Sequence, residues 1–254
     1  VSNKTIWITG ASSGIGFDLA KLLAKHRNYL YISARSEDKL LALKAQFPDN
    51  IFVLPIDVGD SASLAKAEEV LHQQTDQLDM LISCVGTCEY DDVPALQAEQ
   101  YERLTRVNYL GTVETVRIAL PLLRKSASHP HIVAISSLAA LVPFPRAAAY
   151  GASKAALEYF LQSLKVDIAS DNISISIVRP GFVDTPLTQQ NDFDMPFLMP
   201  SDLAAKHIVK AITKRKMFID FPKQMSIPLK IMRFLPSFFW MKICAPRFRK
   251  PEVL

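Results

Sequence analysis

Short apolar runs alternate along this chain with segments whose apolar residues recur every three or four positions. The runs fall at 5–9, 29–34, 51–56, 80–84, 132–136, 174–179 and 217–220. Between them Phe17, Ala20, Leu23 and Ala24 keep helical spacing, as do Leu40, Leu43 and Phe47, and then Leu64, Ala67 and Leu71. Unbroken apolar strands separated by amphipathic helices predict a parallel sheet buried on both faces. Right-handed crossovers then give a doubly wound α/β fold. The reading is one domain with seven strands, and no repeat or low-complexity linker divides it. Ligands of such sheets sit beyond the carboxyl ends of the strands, so the residues just after each strand are where chemistry is expected.

Composition agrees with a globular chain and excludes a disordered or fibrous one: 254 residues, 49% hydrophobic and 21% charged. A chain of this length buries a sizeable core without disulfides. The three cysteines, Cys84, Cys88 and Cys244, form no disulfide framework and suggest a reducing compartment. Cys84 and Cys88 have no second pair and no His cluster beside them, so no metal is expected. No charged stretch and apolar core precede the first strand, and no apolar run reaches membrane-spanning length. A cytoplasmic protein without a nucleic-acid partner is expected, with a peripheral membrane contact left open.

Charge changes the picture at one end. The formal net charge is +4, from 29 basic and 25 acidic residues. Residues 1–220 carry 22 of the basic and 24 of the acidic groups, whereas 221–250 hold seven basic residues and no acidic one. These are Lys223, Lys230, Arg233, Lys242, Arg247, Arg249 and Lys250. The same stretch has an apolar stripe of Ile227, Ile231, Phe234, Leu235, Phe238 and Phe239. Pro228 and Pro236 are expected in the first turns of two short helices. Residues 1–220 read as the catalytic unit and 221–254 as an extension. It packs on the same domain, on a partner subunit or on a membrane.

Candidate chemistry starts at Thr9-Gly10-Ala11-Ser12-Ser13-Gly14-Ile15-Gly16, where the first strand runs into a helix. Glycines let a tight turn bring helix N–H groups close to a pyrophosphate, and Gly16 lets the helix approach the strand. Tyr150 and Lys154 lie four apart on one face of a helical segment. A lysine there lowers the phenol pKa from about 10 and makes the tyrosine a usable acid or base. Ser137 ends the run before that helix, and Asn108 lies in another helix-like stretch. Either is unremarkable by itself.

Taken together these residues resemble the short-chain dehydrogenase/reductase family, as far as about Asp220. Thr9 to Gly16 is similar to its T-G-x-x-x-G-x-G cofactor turn, and Asp57-Val58 to its adenine-contacting pair. Asn108, Ser137, Tyr150 and Lys154 correspond to its catalytic set, with Ser137 thirteen residues before Tyr150. Pro180-Gly181, with Val183 and Thr185, resembles its nicotinamide-side segment. Where the family often has N-N-A-G, the chain reads Ser83-Cys84-Val85-Gly86. Gly86 still admits the cofactor, and a different hydrogen-bond pattern is expected around it.

The resemblance implies a Rossmann-like fold and hydride transfer between NADP(H) and a carbonyl or alcohol. Tyr150 is then the general acid, Ser137 holds the substrate oxygen, Lys154 lowers the tyrosine pKa and binds the ribose, and Asn108 holds a relay water. NAD-dependent members end the second strand with an aspartate. Here Ala34 stands there, and Arg35 and Ser13 are placed for a 2′-phosphate. An alanine-rich helix (Ala147, Ala148, Ala149, Ala152, Ala155, Ala156) implies a homodimer or homotetramer. Leu141, Val142 and Phe144, with 193–199 in a substrate loop at about 185–200, suggest a lipophilic substrate, core packing or an oligomer contact. Two other readings compete. A non-catalytic NADP(H)-binding regulator needs no proton-transfer set, and a nucleotide-sugar epimerase carries a different glycine spacing and a larger C-terminal region.

Overall fold

The computed structural model describes residues 1–91 and 95–244. The main strands are β1 (Thr5–Thr9), β2 (Tyr29–Ser33), β3 (Ile51–Val53), β4 (Met80–Ser83), β5 (His131–Ile135) and β6 (Ser174–Pro180). Two short strands follow, β7 (Val183–Asp184) and β8 (Met199–Pro200), and then β9 (Phe218–Phe221). Seven of them form one sheet in the order β3-β2-β1-β4-β5-β6-β9. Every ladder in it is parallel. This is the Rossmann-like doubly wound sheet, with its switch point between β1 and β4.

Helices cover both faces. They are α1 (Gly14–Ala24), α2 (Glu37–Gln46), α3 (Ser61–Gln74), α4 (Ala98–Thr105), α5 (Gly111–Arg124), α6 (Ala148–Asp167) and α7 (Ser201–Ile212). Ile6 and Ile8 of β1 point into a core shared with Leu19 and Leu23 of α1, Leu40 of α2 and Ile208 of α7. Trp7 points the other way, toward Leu71 of α3, Ile118 of α5 and Leu157 of α6. Two buried faces explain why the strands are apolar throughout and show no alternation. The Trp7 indole N–H is satisfied by the Ser33 hydroxyl at 2.9 Å.

Three sequence expectations change. The third strand was expected to reach residue 56, and its ladder stops at Val53. Leu54 and Ile56 still donate to β2-side carbonyls at 2.9 and 3.1 Å, but Pro55 between them has no N–H to give. The expected substrate loop at about 185–200 is closed at its base by the β7–β8 pair, with Val183, just before it, opposite Met199. Pro228 is the sixth residue of α8 (Lys223–Met232), not part of a first turn. The helix begins earlier because β9 ends at Phe221 and Pro222 already occupies the N-cap. Pro236 directly precedes α9 (Ser237–Cys244). Arg247, Arg249 and Lys250 lie outside the described residues.

Candidate active site

A cleft of about 720 Å³ opens at the carboxyl ends of β1, β2 and β4. Its floor is the glycine turn. Gly14 has φ +53, and a Cβ there would lie 2.8 Å from the Thr185 methyl. A Cβ on Gly16 would lie 2.2 Å from the Gly10 carbonyl oxygen, so this approach of helix to strand excludes any side chain. Ser13 is the N-cap of α1 but makes no capping bond. The first N–H groups of α1 therefore face the cleft with their partial positive charge uncompensated by the cap. A phosphate suits that position. Ser12, Ser13 and Ile15 line the same floor, and Ala34 and Arg35 the rim beyond β2. Arg35 is exposed and has no ion pair among the described residues.

Asp57 and Val58 form the far wall. One Asp57 carboxylate oxygen accepts from the Gly59 N–H at 2.9 Å, which fixes the carboxylate. Gly86, Pro180, Gly181, Val183 and Thr185 complete the opposite side. The Ser83 hydroxyl meets that of Thr112 at 3.0 Å, a different pattern from the one asparagines would make. The Thr9 hydroxyl is buried and has no partner among the described residues. The donors, the glycine-lined floor and the shape fit a dinucleotide.

The proton-transfer candidates converge where β5, α6 and the end of α4 meet. After α4 the chain makes one π-helical turn, Arg106–Leu110, with Asn108 buried inside it. The extra residue in that turn aims the Asn108 side chain across the molecule. Its amide donates to the Thr87 carbonyl at 2.9 Å and the Ser153 hydroxyl at 3.0 Å. Its oxygen accepts the Thr87 N–H at 2.7 Å. Both side-chain N–H groups are thus spent, leaving one oxygen lone pair as the side chain's remaining hydrogen-bonding capacity.

Lys154 is buried and donates to the Ile135 carbonyl at 3.0 Å. Burial draws its pKa down to about 8, with Cys84, Cys88 and Glu158 acting in the opposite sense. A Cβ on Gly86 would lie 3.1 Å from its ammonium, so the Lys154 tip faces the cleft wall there. The Cys84 thiol beside it is pushed up to about 12 by burial.

Tyr150 is half-buried and lies beside the Ser137 hydroxyl. Burial holds its phenol above the ordinary value, Cys88 adds to this, and the Ser137 hydroxyl pulls it back. The expected lowering by Lys154 is not what governs this tyrosine. Its ammonium is turned to the Ile135 carbonyl, and desolvation outweighs every other influence on the phenol. The result is a protonated phenol near neutrality, which is a proton donor.

Ser137 and Tyr150 also line a second cavity of about 120 Å³. Its other walls include Leu138, Phe144, Phe182, Leu187, Phe193 and Met225. The two cavities meet at the Ser137–Tyr150 pair.

Several participants have no local sequence signal. Thr87 and Ser153 frame Asn108 only through contacts across 21 and 45 residues. Ser136 donates to Glu158 at 2.7 Å, and Arg179 grips the same carboxylate with two bonds of 2.8 and 2.6 Å. This buried pair ties β5 and β6 to α6 one turn beyond Lys154. Tyr90 donates to the Asn191 side-chain oxygen at 2.8 Å, joining the loop after β4 to the substrate loop.

The comparisons with known proteins agree with this geometry. A model of the short chain dehydrogenase family matches residues 4–195. An uncharacterized oxidoreductase of Myxococcus xanthus is 30% identical over 240 residues, covering 93% of this chain and 94% of that protein. The 11-beta-hydroxysteroid dehydrogenase-like 3 protein of Arabidopsis thaliana is 33% identical over 237 residues, covering 89% of this chain and 75% of that protein. A short chain dehydrogenase from Burkholderia cenocepacia, solved in complex with NADP, has the same fold. The TM-score is 0.83 at 20% identity, covering 98% of this chain and 99% of that one. The chain is an oxidoreductase of the short-chain dehydrogenase/reductase family.

Proposed function

We propose that this protein is an NADP(H)-dependent oxidoreductase that interconverts a lipophilic carbonyl compound and its alcohol. The observation that carries the reading is the meeting of a dinucleotide-sized cleft and an apolar cavity at Ser137 and Tyr150. When bound in the cleft, NADP(H) supplies or accepts the hydride at the substrate carbon. Ser137 donates a hydrogen bond to the substrate oxygen and stabilises charge that develops there. Tyr150 delivers the proton to that oxygen in reduction and removes it in oxidation. Lys154, whose ammonium faces the cleft wall at Gly86, would hold the cofactor ribose. Asn108 positions Ser153 and Thr87 around this helix and offers its remaining lone pair to a water on the relay.

Arg35, with no carboxylate at Ala34, supports NADP(H) over NAD(H). The NADP in the Burkholderia structure supports the same choice. The apolar cavity supports a lipophilic substrate, and the name of the Arabidopsis relative points to the same class. A homodimer is supported by α6, whose outer face exposes Ala152, Ala155, Tyr159 and Val166. No helix among the described residues is long and apolar enough to cross a membrane. The sparse cysteines fit a cytoplasmic setting. The test is NADPH consumption with a panel of aromatic and alicyclic ketones. Turnover by the native chain is expected, with a loss of about 10²–10⁴-fold in Tyr150→Phe and retained NADPH binding. A Tyr150→Phe variant with most of its turnover overturns the assignment.

A further inference from the structure

The segment after β9 has two apolar faces, one packed on the domain and one exposed. On the inner face of α8, Met225, Leu229 and Met232 pack toward Leu138, Leu141 and Val142, the residues that follow Ser137. Trp240 of α9 joins them, stacking edge-on against Phe144 with ring centres 5.3 Å apart and donating its indole N–H to the Pro143 carbonyl. The hairpin therefore sits directly on the wall of the apolar cavity. Its outer face is apolar as well. Ile227, Ile231 and Phe234 follow at four- and three-residue steps, and Phe234 is 88% exposed. Phe238, Phe239 and Ile243 are each between 44 and 48% exposed.

Large apolar side chains clustered at the surface mark an interaction site. Charge identifies the partner. Lys223, Arg233 and Lys242 are exposed around the cluster and have no ion pair among the described residues. Lys230 pairs with Asp220, which is buried. Residues 221–250 contain no acidic side chain at all. Two copies of this hairpin set face to face would bring like charges together, whereas a negatively charged lipid surface complements both the aromatic cluster and its cationic border.

We propose that the α8–α9 hairpin docks on an anionic lipid surface, with Phe234 and Phe239 inserted at the headgroup boundary. The wall shared with the cavity gives this surface a consequence. A substrate dissolved in the bilayer reaches Tyr150 without crossing bulk water. That consequence rests on the carbonyl-reductase reading above, and the docking itself does not.

The experiment is co-sedimentation of the full chain with vesicles of phosphatidylcholine alone or mixed with phosphatidylglycerol, read without turnover. Pelleting with the mixed vesicles only, relieved by high salt, is expected. Phe234→Asp/Phe239→Asp and, separately, Lys223→Glu/Arg233→Glu should each lower the bound-to-free ratio by about tenfold or more. Both variants should keep the native melting temperature and NADPH affinity. Three results overturn the proposal. One is native chain left in the supernatant, and another is equal pelleting with neutral vesicles. The third is a mass by light scattering that halves in the Phe234→Asp/Phe239→Asp variant, which would assign the patch to a second copy. Because the readout needs no catalysis, a chain that binds vesicles but reduces no ketone refutes only the functional reading.

Discussion

At the scale of single residues, cofactor choice and proton chemistry rest on few side chains. Arg35 is the exposed cation beyond β2, next to the buried Ala34. Hydrogen bonds from a charged donor are worth about 1.5–3 kcal/mol. Arg35→Ala should therefore raise the NADPH Kd by about 10- to 100-fold and leave the NADH Kd where it is. Equal losses for both cofactors in a fluorescence titration would remove Arg35 from this role. Lys154 makes a prediction about pH. Its pKa is lowered from 10.5 to about 8 by burial, so the unfolded chain binds more protons between these two values. Stability should rise with pH across that window, the burial penalty being fully present below it. Urea titrations between pH 8 and 10.5 should show this rise in the native chain and a flatter profile in Lys154→Met. Parallel profiles would mean that Lys154 is better solvated than its burial implies. Glycine spacing, the Tyr-x-x-x-Lys pair and Arg35 were all legible as residues. The sense of the Tyr150 shift was not, because burial and the charge of neighbours such as Cys88, from the loop after another strand, are set only by the fold.

At the scale of elements, the turn from β1 into α1 holds the cleft open. The 2.2 Å approach to the Gly10 carbonyl means that Gly16→Ala must shift backbone. Overpacking of this kind costs about 1–3 kcal/mol. The variant should unfold at lower urea and bind NADPH at least about tenfold more weakly, both measurable on the purified protein. Native-like binding would show that the turn relaxes freely. The strands and α1 to α3 were readable because a sheet buried on both faces writes unbroken apolar runs and the helices carry spaced ones. The π turn at Asn108 was not readable, since nothing local distinguishes Arg106–Leu110 from ordinary helix. Only the Thr87 and Ser153 bonds reveal why the extra residue is there. The misplaced start of α8 has a simpler cause. Two prolines, Pro222 and Pro228, compete for the same signal, and the end of β9 decides between them.

At the scale of the molecule, the seven-stranded sheet sets the cleft beside the apolar cavity, and the outer face of α6 bears on the proposed assembly. Tyr159 and Val166 on that face are 79% and 75% exposed. Tyr159→Glu should reduce the light-scattering mass of an assembled protein to that of one chain, and an unchanged mass would place the interface elsewhere. The order of the candidate positions along the chain was legible in the sequence, but the convergence of two cavities on Ser137 and Tyr150 is a property of the whole fold. That convergence is most directly tested by following the transferred atom. NADPH deuterated at its transferable hydrogen is incubated with the native chain and a ketone that the substrate panel identifies, and the alcohol is analysed by mass spectrometry. The account predicts one deuterium on the carbinol carbon, formed about 10²–10⁴-fold more slowly by Tyr150→Phe. Tight NADPH binding with no deuterated alcohol from any ketone in the panel would contradict it.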